Sequence, residues 1–100
     1  MPIYQTPIYR SNTIKEKIMY FVYILECSDS TFYTGITTNL DRRTKEHNSS
    51  KLGAKYTKVR RPVKLIYSKE FNNRSEASIE ESRIKKLTRA EKLNFLKINL

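Results

Sequence analysis

The stretch MYFVYILEC, residues 19–27, constrains this chain more than any other. It is rich in aromatic and β-branched side chains, the types that suit a pleated surface, and reads as a strand. It sits in a chain whose charged fraction is 30%, so the rest of the fold must cover it. SDST follows with turn chemistry, and FYTGI returns as a second β-prone segment. The pair predicts a hairpin.

The remaining segments read in order. Thr38 and Asp41 form a capping-box-like start, a hydroxyl followed by a carboxylate, for a helix over NLDRRTKEHN. SSKLGAKYTKVRRP reads as a basic loop, closed by Pro62. VKLIYSKEF predicts a third strand, apolar by alternation at Val63, Leu65 and Tyr67. Arg74-Ser75 is the expected cap of a helix running to about Leu87. TRAE at 88–91 reads as a second capping box, opening a final helix through KLNFLKI. The expected fold is therefore α+β: a three-stranded, mostly antiparallel sheet flanked by helices, in the order β-β-α-β-α-α. Residues 1–18 carry two Pro and no sustained period and are expected to form a loose arm, with 19–100 a single domain.

Twenty Lys+Arg against ten Asp+Glu give a formal charge of +10, which points to a polyanionic partner, most naturally nucleic acid. No apolar run approaches bilayer-spanning length, so no membrane partner is expected, and the first residues lack a secretory h-region. The single Cys27 excludes an internal disulfide and a zinc site built on paired thiolates. A reduced, cytoplasmic setting is the simplest expectation.

Four sets of residues could carry chemistry or binding. Glu81 falls on the same helical stripe as Ala77, Ile84 and Leu87, where a carboxylate is costly unless it is paired or holds a metal. Glu80 points about 100° away and reads as a surface acid. Arg43 and His47 are one helical turn apart and share a face with Leu40, so a phosphate-binding fork would sit beside a group able to move a proton near neutral pH. Arg42 points elsewhere, toward a nucleic-acid backbone or solvent. Tyr23 and Tyr33 lie on the two hairpin strands, and a phenol is a poor base unless its surroundings help. Gly35 would let a backbone or substrate approach the strand end closely. In the basic loop, Lys51, Lys55, Tyr56, Lys58, Arg60 and Arg61 set an aromatic among cations, a composition suited to tracking phosphates beside a stacking ring. Each of these features alone also fits a packed phenol, a salt-bridged acid or a solvated basic face.

Together, FVY (21–23), YTG (33–35), NLDRR (39–43), His47 and EESRIKKLTRAEKL (80–93) resemble the GIY-YIG nuclease superfamily. Within it, the chain is similar to small single-domain proteins related to the N-terminal endonuclease domain of excinuclease C. The resemblance runs from about Tyr20 to Leu96 and implies a GIY-YIG nuclease fold. It implies a metal-dependent endonuclease acting on DNA in preference to RNA, in repair or recombination, with weak sequence specificity. By the same resemblance, Tyr23 assisted by His47 would activate water, with Tyr33 and Gly35 matching the second motif. Arg43 would hold the scissile phosphate, and Glu81 would be the lone carboxylate on a Mg2+ or Mn2+ ion. Phe21 stands where the family name has Gly, and Asn94 lies near a late family Asn without a firm match. A protein partner or a dimer would supply specificity. The alternative is a binding module of the same fold that cuts slowly or not at all; charge alone would also suit a basic accessory protein of RNA or ribosomes.

Overall fold

The apolar run becomes the middle strand of the sheet. The computed structural model describes residues 17–99, so most of the expected arm, residues 1–18, lies outside the described residues. Strand β1 is Tyr20–Glu26, β2 is Phe32–Thr37 and β3 is Lys64–Phe71. They form a three-stranded sheet in the order β2-β1-β3. Both pairings are antiparallel. Helix α1 is Leu40–Ser49, α2 a single turn at Lys55–Lys58, α3 Arg74–Lys85 and α4 Arg89–Asn99. The expected order holds, with α2 added inside what read as a basic loop. Among the described residues no helix is long and apolar enough to cross a membrane.

A strand covered on both faces needs no polar side, which explains the near-continuous apolar run. Val22 and Ile24 point into one core with Ala77 and Ile84 of α3 and Leu96 of α4. Tyr23, Leu25 and Cys27 point into the other with Val63, Tyr33 and Leu40 of α1. The sheet is thus sandwiched, with α1 on one side and α3 and α4 on the other. Burial pushes the Cys27 thiol up, in keeping with an inert packed group.

Several local expectations are corrected by the cap geometry. Asn39, not Thr38, caps α1, its side-chain oxygen accepting from Arg42 N at 3.0 Å. Asn73, not the Arg74-Ser75 pair, caps α3 by accepting from Glu76 N at 2.9 Å. Asparagine does this as well as a hydroxyl does. The TRAE box forms as expected: Thr88 N donates to Glu91 Oε1 at 2.8 Å, and Glu91 N to Thr88 Oγ1 at 3.2 Å. In β3 the alternation fails. Leu25 pairs with Leu65 and Ile24 with Tyr67, so a bulge falls at Ile66. Leu65 and Tyr67 therefore do not share a face, because one extra residue reverses the period.

Gly35 pairs directly with Tyr23 across the β1–β2 ladder. A Cβ there would lie 2.5 Å from the Tyr23 hydroxyl and 2.7 Å from its Cζ. The missing side chain makes room for a phenol of the same chain, where close approach of a backbone or substrate was expected. Replacing Gly35 by Ala should force the ring off its seat. Urea unfolding should report a loss of about 1–3 kcal/mol, and an unchanged midpoint would show that the ring does not depend on the glycine.

Candidate active site

Helix α1 carries Arg43 and His47 over the Tyr23 side of the sheet. His47 is fully buried, and its Nε2 lies 2.7 Å from the Tyr23 hydroxyl. Its Nδ1 lies 2.8 Å from Thr57 Oγ1. The Thr57 hydroxyl also lies 2.9 Å from the Ala54 carbonyl, which can only accept. The single hydroxyl proton must therefore go to Ala54, and His47 Nδ1–H must donate to Thr57. That leaves Nε2 as the acceptor of the Tyr23 proton. The Ala54 N–H lies 3.4 Å from Nδ1 and would ask for the opposite tautomer. The two shorter bonds decide against it.

Charge follows from this burial. Burial pushes the Tyr23 phenol up to about 12, with Arg43 opposing and the charges of Tyr33 and Glu81 adding to the rise. Burial first, and Arg43 second, push the His47 imidazole down to about 4, with Glu46 opposing. Near neutral pH the pair is a neutral phenol donating to a neutral imidazole.

Arg43 is held rather than free. Its Nη1 donates to Glu46 Oε1 at 2.8 Å and to the Leu52 carbonyl at 2.7 Å. The guanidinium also lies against the Tyr23 phenol, and its protons outnumber these partners. Arg42 instead turns outward and meets Glu46 at 3.5 Å.

The basic segment divides into structural and exposed parts. Arg61 clamps the end of α1: its Nε donates to the His47 carbonyl at 2.6 Å, and its Nη2 to the carbonyls of Ser50 at 2.6 Å and Glu46 at 3.3 Å. Carbonyls at a helix end lack partners inside the helix, and a cation suits that end. Gly53 fits beneath because a Cβ would lie 2.6 Å from the Glu46 carbonyl. Arg60 bonds Asp29 at 3.0 Å and lies 3.9 Å over the Tyr56 ring. Tyr56 stacks on Tyr33, with centroids 6.1 Å apart, and Tyr33 meets the His47 ring at 5.0 Å. A column of rings thus runs from a half-buried guanidinium to the buried histidine. Lys51, Lys55 and Lys58 are exposed.

Glu81 lies on α3, across the sheet. It is half-buried, and its Oε2 meets Lys85 Nζ at 3.1 Å. Lys85 lines a cleft with Tyr33 and Tyr56, and the Glu81 charge is felt at Tyr23. Glu80, which read as a plain surface acid, takes a two-oxygen grip from Arg83 at 2.9 and 2.7 Å. Asn94 is exposed on α4. Tyr23, Tyr33 and Arg43 thus lie together on the α1 side of the sheet, and Glu81 acts on Tyr23 from the α3 side through its charge.

Sequence reasoning missed Thr57. No periodicity marks it, and its neighbours Lys55, Tyr56 and Lys58 stand out by charge and ring instead. Its position after a Gly-Ala bend, one turn from Ala54, was the available signal.

Two outcomes test this network. In Thr57→Val the acceptor for Nδ1–H is lost, so ring 15N shifts of His47 should show the Nε2–H form appearing. Thr57→Ser should keep the native form; identical spectra for all three proteins would remove Thr57 from the network. Because the folded-state value for His47 is depressed, the unfolded chain binds its proton more readily. The stabilisation is thus present above about pH 6.5 and lost as pH falls toward 4. The urea midpoint should fall over that window, and His47→Gln should flatten the fall.

Comparison with known proteins identifies the family. A model of the GIY-YIG catalytic domain matches residues 19–94. A UPF0213 protein of Syntrophus aciditrophicus is 56% identical over 79 residues, covering 79% of this chain and 91% of that one. A UPF0213 protein of Streptococcus agalactiae is 51% identical over 81 residues, covering 81% and 91%. The solution structure of a UPF0213 protein from Bacillus halodurans is 42% identical, with a TM-score of 0.54, covering 80% of this chain and 84% of that one. The solution structure of the protein EF2693 from E. faecalis is 46% identical with a TM-score of 0.57 and the same coverage. With residues 19–94 matched by that model and 79% of its length by a relative 56% identical, the chain belongs to the GIY-YIG family.

Proposed function

We propose that this protein is a metal-dependent endonuclease that hydrolyses phosphodiester bonds in DNA. The observation that carries the reading is the buried Tyr23–His47 bond, 2.7 Å long, set beside the Arg43 guanidinium. A buried polar pair of this kind costs stability that an apolar pair would not.

In the proposed reaction Arg43 uses guanidinium protons not held by Glu46 and Leu52 to grip the scissile phosphate beside Tyr23. The Tyr23 phenol is too weakly acidic to ionise beforehand. It would take the proton of the attacking water at its oxygen while passing its own to His47 Nε2. The imidazolium so formed is disfavoured by burial and by the Arg43 charge. An anionic phosphate bound to Arg43 offsets the second of these, so substrate binding itself prepares the base. Thr57, by holding Nδ1–H, keeps the Nε2 lone pair turned to Tyr23.

Glu81 is the residue that would hold the metal. Among the described residues no group of three or more His, Cys, Asp or Glu surrounds a common point, so a caged ion does not fit. A single carboxylate that already attracts the Lys85 ammonium does suit a hydrated Mg2+ or Mn2+ ion. Such an ion would supply positive charge for the leaving oxygen.

Contact through phosphates rather than base edges supports weak sequence specificity, as a repair or recombination enzyme related to excinuclease C would show. A partner or a dimer would then add selectivity. One observation favours a second reading, a module that binds without cutting: Glu81 is already neutralised by Lys85.

Nicking of supercoiled DNA in Mg2+, Mn2+ or chelator separates the two. Glu81→Ala, Arg43→Ala and Tyr23→Phe should each lower the rate about 100-fold or more, and Glu80→Ala should cut normally. Wild-type cutting by Glu81→Ala would remove the metal assignment, and salt-sensitive binding without nicking would establish the second reading.

A further inference from the structure

A cleft of about 200 Å³ is lined by Phe32, Tyr33, Thr34, Tyr56, Lys85 and Lys92. Successive side chains of a strand point to opposite faces, yet three consecutive β2 residues line this one space. The cleft therefore wraps around the rim of β2, joining the relay side of the sheet to the α3–α4 side. Its two cations come from different helices. Lys85 is held by Glu81 at 3.1 Å, which occupies one of its three N–H donors. Lys92 makes no ion pair among the described residues and lies in the first half of α4, the end where the helix dipole disfavours a cation. Local helix stability does not account for placing it there. A ligand with negative charge does.

We infer that Lys85 and Lys92 form a phosphate subsite for the nucleic-acid strand next to the bond held at Arg43. This rests on the nucleic-acid reading above and extends it. The rings of Tyr33 and Tyr56 form the wall along which the sugar or base would lie, and the strand would pass over the rim of β2 rather than across β3. Lys85 links the two functions of the cleft. It can keep its bond to Glu81 and offer its other protons to a phosphate, so the acid and the substrate are drawn to one place.

Binding without cleavage tests this directly. Fluorescence anisotropy of a labelled oligonucleotide, in chelator and over a series of NaCl concentrations, gives the slope of log affinity against log salt. Lys85→Gln and Lys92→Gln should each reduce that slope by about 0.9 on duplex, or about 0.7 on a single strand, and the double variant by about twice as much. Lys64→Gln and Lys69→Gln, on the β3 edge, should leave it unchanged. A double variant with the wild-type slope, in a wild type that binds, overturns the subsite alone. A wild type with no salt-dependent binding overturns the subsite together with the nucleic-acid reading.

Discussion

The hydrogen bond between Tyr23 and His47 joins the middle strand to α1 through two residues that are almost fully buried. Much of the nearby structure serves it. Gly35 is bare so that the phenol can lie across β2. Thr57, on a single helical turn, orients the imidazole from behind. Arg61 and Gly53 then fasten that turn to the end of α1. Two neutral groups in a dry setting can exchange a proton without either bearing charge at rest. The same dryness moves the values of both away from those of free side chains.

The excess positive charge is not one uniform surface. Arg61 is consumed by carbonyls and Arg60 by Asp29 and a ring face. Arg43 is half committed, with one nitrogen anchored to Glu46 and Leu52 and the guanidinium set against Tyr23. The lysines of the same segment stay in solvent. Arginine's planar fork suits the fixed positions and the mobile ammonium the exposed ones. Surface ion pairs such as Arg42–Glu46 add little to stability, so this division matters for placement more than for energy.

The strands, the helices and their order were legible because each segment carries a strong local signal. The apolar run gave β1, the hydroxyl–carboxylate spacing gave the start of α4, and the Arg43–His47 spacing gave a shared helix face. What was not legible depends on contacts between distant segments. Nothing local says that Gly35 faces Tyr23, or that Thr57 meets a histidine ten residues earlier. Arg61 looks like its basic neighbours until the end of α1 is set beside it. The bulge at Ile66 is invisible for the same reason, since one extra residue shows only against a partner strand. The caps at Asn39 and Asn73 were legible in principle, but each has a hydroxyl residue close by in the chain that suits the same role.

The segment from Gly53 to Arg61 alternates fixed and free positions. Gly53, Thr57 and Arg61 are locked against α1, while Lys55, Lys58 and Val59 project outward. Such a segment is a rigid frame with interchangeable tips. A designer can graft new tips without disturbing the Tyr23–His47–Thr57 hydrogen bonds underneath.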